Sequence, residues 1–193
     1  MSISKKCLLL SILSAVILTG CATVELGHDF KPLSNGNLLL GKTTKDDVTK
    51  ALGGPSNSST FFRDGVDFEN VIYSYSSNKL SREPSTIQVR ALTLWYLKDV
   101  VIGKAYCSSF DSDSTDFSTK SSSTIKSGMT KNEVLKILGQ PSGELVAPLT
   151  YRGAPDEYLY CSLKFVNGVQ STKRTSIQFD SKDVVISATT EIN

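Results

Sequence analysis

Histidine is almost missing from this chain, since His28 is the only one among 193 residues. Metal centres and acid–base triads need an imidazole oriented by a second group. His28 has no cysteine or histidine near it in sequence, so it reads as a solvated residue and neither chemistry is expected. Charge of one sign is lacking too: 21 Lys and Arg face 19 Asp and Glu. Lys5 and Lys6 lie in the first twenty residues, and beyond them the two signs balance at 19 each. That balance removes any general pull toward nucleic acid or anionic lipid. No apolar run reaches the ~20 residues that a membrane-spanning helix needs; residues 7–19 supply thirteen. Asp111, Asp113 and Asp116 lack the glycine turn and closing glutamate of a calcium loop. No nucleophile, base and orienting group stand together either, so neither a catalyst nor a cofactor is expected.

What the chain does have begins with that thirteen-residue run. Behind Lys5 and Lys6 it fits the hydrophobic region of a signal peptide, expected to be removed. The residues that close it, Leu18-Thr19-Gly20-Cys21, resemble the lipobox of bacterial lipoproteins. The resemblance implies a diacylglycerol on the Cys21 thiol and acylation of the freed amine. Each buried methylene is worth about 0.8 kcal/mol, and two or more chains give stable attachment. Ala22 after the cysteine resembles the pattern of outer-membrane export. The expectation is a signal peptide over 1–20, a tether over 21–28, and a periplasm-facing outer-membrane protein held to the lipid by acyl chains.

The rest of the chain repeats itself. Asp29-Phe30, Leu38 and Gly41 recur as Asp116-Phe117, Ile125 and Gly128, 87 residues on. Residues 44–56 align with 130–142, eight of the thirteen positions being identical. Lys98-Asp99-Val100-Val101-Ile102 returns as Lys182-Asp183-Val184-Val185-Ile186, now offset by 84.

Each block makes local sense. Thr130 and Glu133 have the spacing of a capping box, and Thr44 and Asp47 form a weaker version. Val134, Ile137 and Leu138 then share a helical face, as do Val48, Ala51 and Leu52. Gly139 with Pro141, and Gly53 with Pro55, end the helices. Downstream the period becomes two: Ile177 and Phe179 alternate with polar neighbours before a turn and the Val184–Ile186 strand. Asn167-Gly168 is a strong hairpin signal, and repeat 1 offers strands over 71–75, 91–97 and 100–106. The reading is α+β: two tandem repeats, 29–107 and 116–193, joined by a connection over 108–115. Each would have two short helices followed by an antiparallel sheet of three or four strands, helices on one face.

The pattern Phe117, Ile125, Gly128-Met129-Thr130, Glu133-Val134, Leu138-Gly139 and Pro141 resembles the SmpA/OmlA (BamE-like) family and the tandem repeats of β-lactamase-inhibitor proteins. Repeat 1 departs from it by one extra residue before its capping threonine. The resemblance implies a non-catalytic module that binds an envelope protein of unknown identity, in outer-membrane β-barrel assembly or envelope integrity. The alternative it implies is an inhibitor that grips a periplasmic enzyme, a β-lactamase or a cell-wall hydrolase, with a concave sheet.

Three further residues are singled out. Cys107 and Cys161 are the thiols left once Cys7 departs and Cys21 is acylated; an oxidising compartment invites pairing if their Cα atoms approach within about 7 Å, and two free buried cysteines are the other outcome. Trp95, the single tryptophan, turns to the face opposite Leu94 and Tyr96 if those are core-facing. There it is either a partner contact or packed beneath the 77–86 loop. Alternation does not decide which of Tyr73, Tyr75, Tyr158 and Tyr160 point outward, and the basic residues over 164–174 read as a solvated strand edge.

Overall fold

The computed structural model describes residues 23–33, 36–79, 86–150, 153–166 and 169–193. The expected signal peptide, Cys21 and the Asn167-Gly168 turn lie outside them. No helix of the described residues is long and apolar enough to cross a membrane.

Two eight-residue helices, α1 (Lys45–Leu52) and α3 (Lys131–Leu138), form where the repeated blocks fall. Both start with a complete capping box, Thr44 with Asp47 and Thr130 with Glu133, so the version that looked weaker is equally closed. The extra residue of the first half is absorbed one turn earlier, where Thr43 bonds back to Leu39 at 2.8 and 2.9 Å. Both helices stop at a glycine with positive φ, Gly53 and Gly139, which suits a residue without Cβ. Two turns leave room for only one fully buried contact each, Val48 and Val134. Leu52 and Leu138 pack beside them one turn on, whereas Ala51 and Ile137 are exposed.

The strands are β1 (Glu25–Gly27), β2 (Asn57–Arg63), β3 (Val66–Ser77), β4 (Gln88–Leu97), β5 (Val100–Ser108), β6 (Gly143–Val146), β7 (Asp156–Val166), β8 (Val169–Phe179) and β9 (Val185–Ile192). They form one antiparallel sheet in the order β1-β3-β4-β5-β6-β7-β8-β9, with β2 also on β3. This overturns the expected architecture. A single nine-stranded sheet replaces two repeats of three or four strands each, and among the described residues the two-helix unit is not repeated: α2 (Thr119–Ser122), capped by Ser118, is one turn long and has no counterpart helix in the first half. The physical reason is the β5–β6 contact. Gly103↔Leu145, Lys104↔Glu144 and Ala105↔Gly143 join the halves edge to edge. A Cβ on Gly143 would come within 2.5 Å of the Lys104 carbonyl oxygen, so glycine permits the close approach.

Three cores hold the sheet. Under α1, Phe30, Leu38 and Val48 meet Val71, Tyr73, Leu92, Leu94, Tyr96 and Val101. Under α3, Ile125 and Val134 meet Tyr160, Ile177, Phe179 and Val185. The third lies on the opposite face and spans the seam, combining Phe68, Ile102 and Ala105 with Leu145, Leu149 and Leu159. Arg63, stacked over Phe68, donates to the Leu149 carbonyl and ties the β2–β3 hairpin to the second half.

Candidate functional site

The face opposite the helices is hollowed into a trough of about 830 Å³ lined from β3 through β9. Its shape follows from register. One row across the sheet reads Asn70, Trp95, Gly103, Leu145, Glu157, Gln178, Ser187; the next reads Ile72, Thr93, Ala105, Gly143, Leu159, Ser176, Thr189. In the middle strands the small side chain of Ala105 lines the floor between Thr93 and Leu159, while Gly103 and Gly143 permit close contacts across the β5–β6 seam. A one-residue bulge in β5, between the pairs Trp95↔Gly103 and Tyr96↔Val101, puts Gly103 and Ala105 on this face. A Cβ on Gly103 would lie 2.5 to 3.0 Å from Leu149, Leu145 and Trp95, so the glycine lets the indole and two leucines close over it.

Trp95 lies on the face opposite buried Leu94 and Tyr96, half-buried. Its neighbours belong to the seam core with Leu145 and Leu149, and its remaining surface lines the trough. Cys107 and Cys161 are joined by a disulfide, Cα atoms 5.6 Å apart, in the trough floor across the seam. Glu157, only 6 % exposed, is held in the floor as an acceptor for the Ser176 hydroxyl and, at 3.1 Å, the Gln178 amide. Among the described residues no tyrosine lines the trough. Tyr73 and Tyr160 instead face the helices, where their hydroxyls donate to the carbonyls of Gly53 and Gly139 at 3.3 and 2.9 Å and satisfy the helix ends. Burial raises the Tyr160 phenol above its ordinary range, so it stays a donor.

The acidic residues of the 108–116 stretch do not converge on a common point. Asp113 pairs with Arg90 at 3.7 Å and accepts from Tyr106 and Ser108, which fixes the segment after β5. Asp116 takes Lys173 at 2.6 Å and Lys164 at 3.2 Å, so these lysines are engaged rather than merely solvated. Burial alone would raise the Asp116 carboxyl; hydrogen bonds from Lys173, Ser162 and Lys164 outweigh it and hold the group well below the usual carboxylate range. His28 is exposed, and the described residues contain no cluster of three metal-ligating side chains.

Sequence reasoning missed Glu157, Gln178 and the small central residues. Gln178 is the repeat counterpart of Trp95, since Leu94 and Tyr96 align with Ile177 and Phe179. Gly103, Ala105 and Gly143 carry no periodic signal of their own, because their value lies in the close contacts that their small size permits.

No family model matches the chain, and no curated protein does. A solved structure from Streptococcus mutans, described as a "putative beta-lactamase inhibitor protein", is similar over 77% of this chain and 82% of its own, at 9% sequence identity and a TM-score of 0.40. At that distance the likeness carries no inference about function.

Proposed function

We propose that this chain is a lipid-anchored envelope protein that binds another protein through the trough of its sheet and performs no chemistry of its own. The observation that carries the reading is the trough itself: an open, mixed apolar and polar hollow that combines a half-buried tryptophan with apolar neighbours. Half-buried tryptophan among well-packed apolar neighbours is a common anchor in protein interfaces. Support for the envelope address comes from the lipobox-like Leu18-Thr19-Gly20-Cys21 and from the SmpA/OmlA-like signature over 117–141. A role in β-barrel assembly or envelope integrity fits that address.

The test is chemical cross-linking of the tethered protein in its own cells followed by purification. Trp95→Glu should lose the cross-linked partner while Lys136→Glu, on the exposed side of α3, keeps it. Equal recovery from both variants contradicts the reading. Fatty-acid labelling with membrane fractionation checks the anchor separately: Cys21→Ser should be unlabelled and released. The second reading, inhibition of a periplasmic enzyme, uses the same hollow. It requires that soluble residues 22–193 lower the activity of a β-lactamase or cell-wall hydrolase, and unchanged rates across such enzymes remove it.

A further inference from the structure

The two copies of the Lys-Asp-Val-Val-Ile block end differently. In both, a bulge follows the second valine and turns the isoleucine onto the trough face. Ile102 is buried there, because β6 pairs along the outer edge of β5 and brings Leu145 over it together with Leu149. Ile186 occupies the equivalent place on β9 and is 47 % exposed. Beyond Val185, whose C=O and N–H bond Gly128 and Met129 at 2.9 and 2.7 Å, no strand of the described residues pairs with the outer edge of β9.

The backbone is equally ready at both places. Tyr106 of β5 sends its N–H outward to the Ser142 carbonyl at 2.7 Å, at the start of β6. On β9, Asn193 exchanges two bonds with Thr172 of β8 at 2.9 Å, so by antiparallel alternation Ala188 and Thr190 direct their N–H and C=O groups away from β8. Thr190 stands where Tyr106 stands, and Ala188 where Lys104 stands. Natural edge strands are usually guarded by lysine, proline or extreme shortness. β9 has eight residues, no lysine and no proline.

We propose that the outer edge of β9 receives an extended strand of the partner protein, paired antiparallel as β6 is on β5, with an apolar side chain opposite Ser187 that covers Ile186. This rests on the trough being the partner-binding face and adds how the partner is held: main-chain bonds along the edge supply affinity and the pocket at Ile186 supplies selectivity. The internal β5–β6 junction is the template, and it commits the occupant to a strand with an apolar residue at that register.

The experiment places a photo-reactive phenylalanine analogue at Ser187 of the full-length chain in its own cells and maps the cross-linked peptide. A segment of another protein with an apolar residue at the cross-link is expected. Ala188→Pro removes an outward N–H without touching the bonds to β8, and Ile186→Lys charges the uncovered position. Each should reduce the adduct at least about tenfold, whereas Phe62→Lys, at an exposed position of β2, should leave it unchanged. Thermal unfolding of each variant is measured alongside, and Ile186→Lys, a change on an exposed side chain, keeps the test valid if the proline variant fails to fold. Adducts of wild-type yield in both variants overturn the proposal, as does an adduct made only with a second copy of this chain. If Ser187 gives no adduct while Thr93 in the trough floor does, the edge proposal falls and the trough reading stands; silence from both sinks the two together.

Discussion

The first and second halves of the sheet close the same clasp with different cations. In each, an Asp-Phe pair from the segment ahead of the capped helix is gripped by a basic side chain of a long strand. Arg90 of β4 reaches the Asp29 carboxylate at 3.3 Å and the Phe30 carbonyl at 3.0 Å; Lys173 of β8 reaches Asp116 at 2.6 Å and the Phe117 carbonyl at 3.1 Å. The arginine is the more deeply buried, its side chain 10 % exposed against 23 % for the lysine, and it stacks over Phe110 at 4.1 Å while also meeting Asp113. A planar guanidinium stacks flat on a ring and holds its donors in a fixed fork, whereas an ammonium acts as a compact point charge. At the helix starts the weighting reverses. Lys45 has the single carboxylate of Glu69, but Lys131 bonds both Asp156 and Asp183 and lies over Tyr158 and Phe179. Repetition in sequence therefore fixes where a polar lock sits, and the cation chosen decides how much it holds.

The largest effect should come from breaking what makes the halves one body. Replacing Cys107 and Cys161 with alanine opens a link of sequence separation 54, which on the chain-entropy model costs about 4 kcal/mol. The urea midpoint should fall accordingly, and a midpoint unchanged from wild type would show that the β5–β6 seam needs no staple.

Next come the clasps. Arg90→Ala strips the cation from a buried site and should cost about 3 kcal/mol, while Lys173→Ala, nearer the surface, should cost about 1 kcal/mol. Arg90→Lys should recover only part of the loss. Equal costs for Arg90→Ala and Lys173→Ala in denaturant titrations would erase the contrast between the halves.

The caps are where the halves should agree. Thr44→Ala and Thr130→Ala each remove the side-chain bond to the N3 amide and should cost about 1 kcal/mol apiece. A clear difference between them would mean that the extra residue before Thr44 weakens the first cap after all.

The smallest effect is acid dependence. The Asp116 carboxyl is held below its ordinary 3.8, so its contribution is present above that value and is lost as pH falls through the lowered one. Asp116→Asn should flatten part of the stability loss between about pH 4 and about pH 2. At the alkaline end the sign reverses. Burial would lower the Lys131 ammonium, but its bonds to Asp156 and Asp183 outweigh this and raise it above 10.5, so its contribution is full below 10.5 and is lost as pH rises from there through the raised value.

The helices and their ends were legible because capping threonines, acidic N3 residues and stop glycines act within a few residues of one another. So were the core faces of β4 and β8, where Leu94, Tyr96, Ile177 and Phe179 alternate with polar or amphipathic neighbours. The β2–β3 hairpin had a usable signal that was passed over: Asp64-Gly65 adopts positive φ at both positions, the turn that such a dipeptide favours. Which strand edges would meet was not legible. β6 has only four residues, and its pairing with β5 depends on Gly103, Ala105 and Gly143 being small, a long-range fit that leaves no local pattern. The trough inherits that silence, since its floor crosses the same β5–β6 seam.

The most direct test of the trough as the contact face is a photo-cross-linking scan that carries the reactive side chain at Thr93 and Thr189 on one face, and at Lys50 and Lys136 on the other. Adducts with one and the same partner from Thr93 and Thr189, with none from the helix positions, are the expected result. Adducts confined to Lys50 and Lys136 would place the partner on the helices and contradict the account.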